Sequence, residues 1–207
     1  MKLYYTPGTC SFAAHLVIRE LGLPVELQRV RIGPNPVLVA DGRDFRQLSP
    51  LGYVPVLQLD DGRLLREGIA ILSYLGGLDP SGRIAPEARR TELLSWLTYI
   101  ATELHKTYSP WLFHPEYGDQ PGAVARERLA PRLALVDRHL AGHAFLLGDD
   151  FSIADAYLFT IADWSRALKL PLDDTPHLAA YLERIRARPS VAEALQAERA
   201  PQAQVAA

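Results

Sequence analysis

The chain has one cysteine in 207 residues. A lone thiol cannot close an intrachain disulfide, so a disulfide-stapled secreted scaffold is excluded. Any redox chemistry would need a second thiol from outside. Excess charge of either sign is also missing: 22 Lys and Arg stand against 24 Asp and Glu, a formal net charge of −2. Neither side of residue 80 offers an electrostatic platform, so no nucleic-acid or anionic-membrane partner is expected. No apolar run reaches the length of a membrane span. Lys2 is not followed by the apolar stretch of a secretory signal, so the expected location is cytoplasmic. His15, His114, His139, His143 and His177 show no metal-ligand spacing with one another or with Cys10, and no metal is expected. What remains is an ordinary globular composition, 48% hydrophobic and 22% charged. It is enough for one large core or two small ones.

The periodicity divides the chain in two. Leu3-Tyr4-Tyr5 is a short strand former, and apolar residues at Phe12, Leu16, Val17, Ile18 and Leu21 mark a helix that Gly22 and Pro24 end. Val25 to Ile32 alternates with period two. A strand, a helix and a strand in this order imply parallel pairing through a helical crossover. Residues 33–49 read as loop with a short helical turn. Val54 to Leu59 and Arg63 to Leu65 flank Asp61-Gly62 as a hairpin. Glu67-Gly68 then opens a helix. The order β-α-β-β-β-α is that of a thioredoxin-like module, so residues 1–77 are predicted to be an α/β thioredoxin-like domain. Residues 78–86 read as a linker. Residues 87–207 show only helical periods and are predicted to be an all-α bundle, with one stripe through Leu93, Trp96, Leu97, Ile100, Leu104 and Tyr108 and further helices near 122–141, 152–168, 176–187 and 190–198.

Several residues could carry chemistry, and each also has a plain structural reading. Cys10 lies at the mouth of the first helix, where unpaired amides and the helix dipole favour a thiolate; a buried structural thiol is the other reading. Tyr5 and Ser11 are nearby hydroxyls that could donate to a bound anion. Val54-Pro55 is either an edge-strand proline or a cis turn that frees the Val54 backbone to pair with an extended peptide. Glu67 and Gly68 stand at a second helix start, where amides suit a carboxylate and the Glu67 side chain suits an ammonium group; an acidic residue answering a helix dipole is the alternative. Ser95, Thr98, Thr102, His105 and Ser109 form a polar stripe that either faces water or reaches a ligand. Ser152 and Asp155 read as a helix cap without chemistry.

Taken jointly, these segments resemble a known family. Tyr5-Thr-Pro-Gly-Thr-Cys10-Ser11, Leu48-Ser-Pro-Leu-Gly-Tyr-Val54-Pro55, Arg66-Glu67-Gly68-Ile-Ala-Ile71, Trp96-Leu-Thr98 through Thr102 to His105-Lys, and Phe151-Ser152-Ile-Ala-Asp155-Ala-Tyr157 are similar, in order and spacing, to a bacterial glutathione transferase of the beta class. The resemblance implies an enzyme that uses glutathione as co-substrate, with no cofactor, and conjugates its thiolate to a small hydrophobic electrophile. It implies a cis Val54-Pro55 bond pairing with the cysteinyl backbone, Glu67 and Gly68 on the γ-glutamyl end, Cys10 against the glutathione sulfur, and Thr102 and His105 completing the pocket from the second domain. It also implies a homodimer. Cys10 and His105 are the catalytic candidates, with Ser11 as fallback hydroxyl; Val54, Pro55, Glu67, Gly68, Thr98 and Thr102 are the binding candidates. Tyr108, Trp111, Phe113 and Trp164 read as electrophile pocket, as core or as dimer contacts. The chain departs from the family twice. Residues 33–38, Gly-Pro-Asn-Pro-Val-Leu, lack the lysine that would meet the glycyl carboxylate, and Thr98 stands where asparagine is usual. The first departure implies weaker glutathione binding or a replacement cation from elsewhere, and the second the loss of one hydrogen-bond pair. Two other functions fit the same residues: a glutathione-dependent monothiol disulfide oxidoreductase working through Cys10, and a non-catalytic carrier of hydrophobic ligands.

Overall fold

The computed structural model describes residues 1–200. These form two compact units: Met1–Pro80 together with the chain from Arg188 onward, and Ser81–Ala187.

The first unit is built on a five-stranded mixed sheet of order β3-β2-β1-β4-β5. β1 (Lys2–Tyr5) and β2 (Glu26–Arg31) pair in parallel across α1 (Phe12–Glu20), as the crossover requires. β4 (Val56–Gln58) runs antiparallel to β1 and to β5 (Leu64–Leu65). α2 (Gly68–Gly76) follows. This is the expected thioredoxin-like arrangement with one addition. Residues 33–49, read as loop with a short helical turn, contain such a turn, a 3₁₀ turn at Phe45–Gln47, and also β3 (Val37–Leu38), which pairs antiparallel with the outer side of β2. Two residues are too few to show a strand period. Leu38 is buried in a cluster with Tyr4, Val30, Phe45 and Val56.

Gly22 ends α1 as expected. With φ at +60° it lets the Leu23 N–H reach the Ile18 carbonyl and its own N–H reach that of Arg19. Every residue of α1 from Phe12 to Ile18 is buried. A helix buried on all sides needs cover beyond a sheet, and here α9 (Pro189–Arg199) packs on it, with Val191 and Ala194 both fully buried. The expected helical domain 87–207 included this segment; in the structure it joins the first unit instead. An ion pair between Arg188 and Glu20, and a Ser190 hydroxyl donating to Glu20 at 2.6 Å, pin its start. Residues 201–207 of that expected domain lie outside the described residues.

The second unit is helical: α3 (Arg90–Tyr99), a π-helical segment (Ile100–His105), α4 (Lys106–Tyr108), α5 (Asp119–Leu140), α6 (Ile153–Ala162), α7 (Trp164–Ala167) and α8 (Pro176–Arg186). Leu93, Leu97, Ile100, Leu104 and Tyr108 form the buried stripe, with Trp96 at its margin. α6 is buried along its whole length. At its start the Asp155 carboxylate accepts from the Ser152 amide and hydroxyl, the Leu146 amide and the Tyr181 hydroxyl. The stretch 152–168, expected as one helix, is split at Asp163. Residues 78–86 form no helix or strand, yet Ile84 is fully buried and its carbonyl accepts from the Ile153 amide at 2.9 Å. No helix among the described residues is long and apolar enough to cross a membrane.

Candidate functional site

Three connections leave the first unit's sheet at one end. β1 stops at Tyr5, β4 begins at Val56 opposite Tyr4, and β5 stops at Leu65 opposite Leu57. The segments carrying Cys10, Val54-Pro55 and Glu67-Gly68 therefore emerge side by side, although 57 positions separate Cys10 from Glu67 in the numbering. Direct contact joins two of them: the half-buried Cys10 thiol lies 3.4 Å from the Val54 carbonyl oxygen, as a donor to it.

The mouth of α1, just beyond Cys10, is closed by its own sequence. The Phe12 amide donates to the Thr9 carbonyl at 3.1 Å, the Ala13 amide to the Cys10 carbonyl at 3.3 Å, and the Ser11 amide to the Thr9 hydroxyl at 3.4 Å. The helix amides expected to favour a thiolate are thus engaged locally. Ser11 is fully buried; its hydroxyl accepts from the Thr6 amide, donates to the Thr6 carbonyl and bonds the Thr9 hydroxyl at 2.8 Å. Its expected role as fallback catalytic hydroxyl does not suit this placement, because the oxygen is spent on shaping the loop. Tyr5 is also buried, with its ring beneath the Arg29 guanidinium and beside His15. From the other side, the buried Glu198 carboxylate accepts from the Gly8 amide at 3.0 Å and from His15 Nδ1 at 3.2 Å, while Arg19 donates to His15 Nε2.

The Val54-Pro55 bond is cis. The loop before it is tied by Ser49, whose hydroxyl donates to the Tyr53 carbonyl and accepts from the Tyr53 amide. Gly52 lies against Pro36 so closely, at φ +70°, that a Cβ would sit 2.8 Å from the proline ring. Among the described residues the Val54 N–H has no partner.

The mouth of α2 is open. Its cap residue, Glu67, holds φ 66° and ψ 120° without a side-chain bond to the helix. Such a conformation costs a non-glycine residue about 1–3 kcal/mol and marks sites where structure is arranged for a ligand. The Ile71 amide reaches the Glu67 carbonyl at 3.1 Å, but the amides of Gly68, Ile69 and Ala70 have no partner among the described residues. The Glu67 side chain is exposed and likewise unpartnered. Three free amides beside a free carboxylate can receive an anion and a cation carried on one small group.

In the second unit Thr98 and Thr102 are exposed on one helix face, and the Thr102 hydroxyl donates to the Thr98 carbonyl at 3.0 Å. The π-helical turn between Ile100 and His105 carries the imidazole at its end. His105 Nδ1 lies 2.8 Å from the Tyr157 hydroxyl, and Trp164 meets the ring edge-on at 5.2 Å. Burial, helped by the neighbouring Lys106 charge, pushes the imidazole down to about 4, so His105 is neutral at pH 7. Of the four aromatic candidates, Tyr108 and Trp164 are core, while Trp111 and Phe113 are 45% and 40% exposed, with Phe113 packed on Trp164 at 5.1 Å. A cavity of about 210 Å³ elsewhere in this unit, lined in part by Asp163, Arg166, Leu172 and Leu182, contains none of the expected site residues.

The loop at 33–35 is exposed and contains no cation, so the structure supplies no replacement there for the absent lysine. Sequence reasoning missed Ser49, Glu198 and Tyr157. Ser49 carried a short-range signal, a serine just before Pro-Leu-Gly. Tyr157 ends the last segment of the resemblance but acts across 52 positions, so nothing local assigned it a role, and Glu198, acting across 190, carried no signal.

Comparison with known proteins identifies the family. A model of the glutathione S-transferase N-terminal domain matches residues 8–78, and one of the C-terminal domain matches residues 97–189. The chain is 41% identical over 201 residues to glutathione S-transferase GstA of Escherichia coli O157:H7, covering 96% of this chain and 98% of the relative. A sphingomonad glutathione S-transferase solved in complex with glutathione has a TM-score of 0.90 at 38% identity, over 96% of this chain and 98% of the other. A beta-class enzyme from Sphingomonas chungbukensis has a TM-score of 0.91 at 36% identity, over 96% and 99%.

Proposed function

This chain belongs to the glutathione S-transferase family, and on that premise we propose that it binds glutathione at the sheet end that gathers Cys10, Val54 and Gly68, and conjugates its thiolate to a small hydrophobic electrophile. The observation that carries the reading is the pairing of a free Val54 N–H with an open α2 mouth. The cysteinyl backbone adds to the Val54 edge as a short strand. The γ-glutamyl carboxylate takes the amides of Gly68, Ile69 and Ala70, and its ammonium takes Glu67. Gly68 contributes its amide alone, having no side chain. The sulfur then lies near Cys10.

The enzyme's task is to hold the thiol as thiolate and to position it for attack. In this reading Cys10 is the polar neighbour of the sulfur, and the neutral His105, Thr98 and Thr102 are the hydrogen-bonding candidates that the second unit contributes. The exposed Phe113 and Trp111 suit an apolar electrophile. The exposed Leu51 and Tyr53 suit a homodimer contact, and the setting is cytoplasmic. The relatives' transferase names favour conjugation over disulfide exchange through Cys10 or ligand carriage. The test is conjugation of glutathione to a chromogenic aryl halide by the Cys10→Ala, His105→Ala double variant. Loss of most of kcat/KM is expected; unchanged turnover would refute the assignment.

A further inference from the structure

We infer that Tyr157 is a positioning residue for His105, its hydroxyl fixing the imidazole as the tautomer protonated at Nε2 and turned away from α6. The inference rests on the reading of His105 given above. Tyr157 lies on α6, the element buried along its whole length, two positions after the carboxylate that caps it. Its ring is 4% exposed, and its oxygen is 2.8 Å from His105 Nδ1. Trp164 packs edge-on against the same imidazole, so ring rotation is restricted and the hydroxyl sees one nitrogen only.

Two hydrogen-bond directions are open at that distance. Either the phenol donates to a bare Nδ1, or Nδ1–H donates to the phenol oxygen. A phenol O–H is the more acidic donor and an imidazole nitrogen the more basic acceptor, so O–H to Nδ1 is favoured. That leaves the proton on Nε2. Tyr157 thus determines whether His105 offers a donor or an acceptor on its free side. The charges around it leave this choice to the tyrosine. Lys106 disfavours the imidazolium; Glu103 is paired with Arg132 at 2.7 Å, and Asp163 with Arg186. With the doubly protonated form excluded at neutral pH, a donor at Nε2 can come only from the tautomer.

The experiment is two-bond ¹H–¹⁵N NMR on the full chain with labelled histidine, with His105→Ala identifying the resonances. The expected result is a pyridine-like Nδ1 and a pyrrole-like Nε2 in the native protein. In Tyr157→Phe, with its fold checked by circular dichroism, the two forms should mix. The opposite tautomer in the native protein, or an unchanged pattern in the variant, would overturn the inference. Should the variant not fold, the native pattern alone decides. Turnover supplies the second arm. Tyr157→Phe should lower kcat/KM roughly tenfold, the scale of one lost hydrogen bond, and move the acid limb of its pH profile upward. It should have no further effect when added to His105→Ala; a full tenfold loss in that background contradicts action through His105. If His105→Ala itself leaves turnover unchanged, the role of His105 in the proposed function fails, while the spectra still decide the role of Tyr157.

Discussion

Two helices of the first unit begin at the same end of one sheet, and their mouths are built in opposite ways. α1 opens beside Cys10, and its leading amides are engaged by Thr9 and Cys10 carbonyls and by a hydroxyl, with Glu198 holding the loop from α9. α2 opens at Glu67 with three amides unengaged, no side-chain cap and a left-handed residue at the cap position. Unsatisfied donors at a helix start are a cost to the fold unless something completes them. In the proposed function the first mouth places a thiol and the second receives the ligand. The binding residues of such a site are better found by asking where the helix amides remain free than by asking where a helix begins.

If the first mouth is held shut by its network, breaking that network should damage stability most. Glu198→Ala leaves His15 and the Gly8 amide without their buried acceptor and should cost about 3 kcal/mol, read by urea denaturation. Ser11→Ala removes an oxygen with three partners and should cost about 2 kcal/mol. Its kcat, measured per folded molecule, should stay near native; a loss beyond tenfold would restore Ser11 to the catalytic set. At the open mouth the pattern should invert. Glu67→Gln should leave the melting temperature unchanged but weaken glutathione binding roughly tenfold by calorimetry, through loss of a charge-assisted bond to the ammonium group. Gly68→Ala should stabilise by about 0.5–1 kcal/mol, since φ there is not positive and a Cβ meets nothing within 4 Å. It keeps the amide, so glutathione affinity should hold in the same calorimetric titration.

The elements were legible where they repeat a local rule. The parallel β1–α1–β2 unit followed from periodicity and Gly22, the β4–β5 hairpin from Asp61-Gly62, and the start of α2 from Glu67-Gly68. β3 was too short to show a period, and the π-helical turn keeps the apolar spacing of an α-helix closely enough to pass for one. The docking of α9 on α1 is not legible in either helix alone: α1 is buried from Phe12 to Ile18, His15 included, and only the fold shows that Glu198 of α9 answers that histidine. Residue types alone nominated Cys10, Glu67 and His105, and only the resemblance implied that they act on one ligand. Their roles divided only with hydrogen bonds in view: Ser11 and Cys10 are neighbours in the chain, yet one is sealed in the loop and the other half-exposed against Val54.

An amide ¹H–¹⁵N titration of the native protein with glutathione tests the division between the two mouths most directly. The account predicts that the signals of Val54, Gly68, Ile69 and Ala70 shift together and saturate at one concentration, while those of Ser11, Phe12 and Ala13 move far less. Shifts concentrated at the start of α1, with the Gly68–Ala70 amides unmoved, would contradict it.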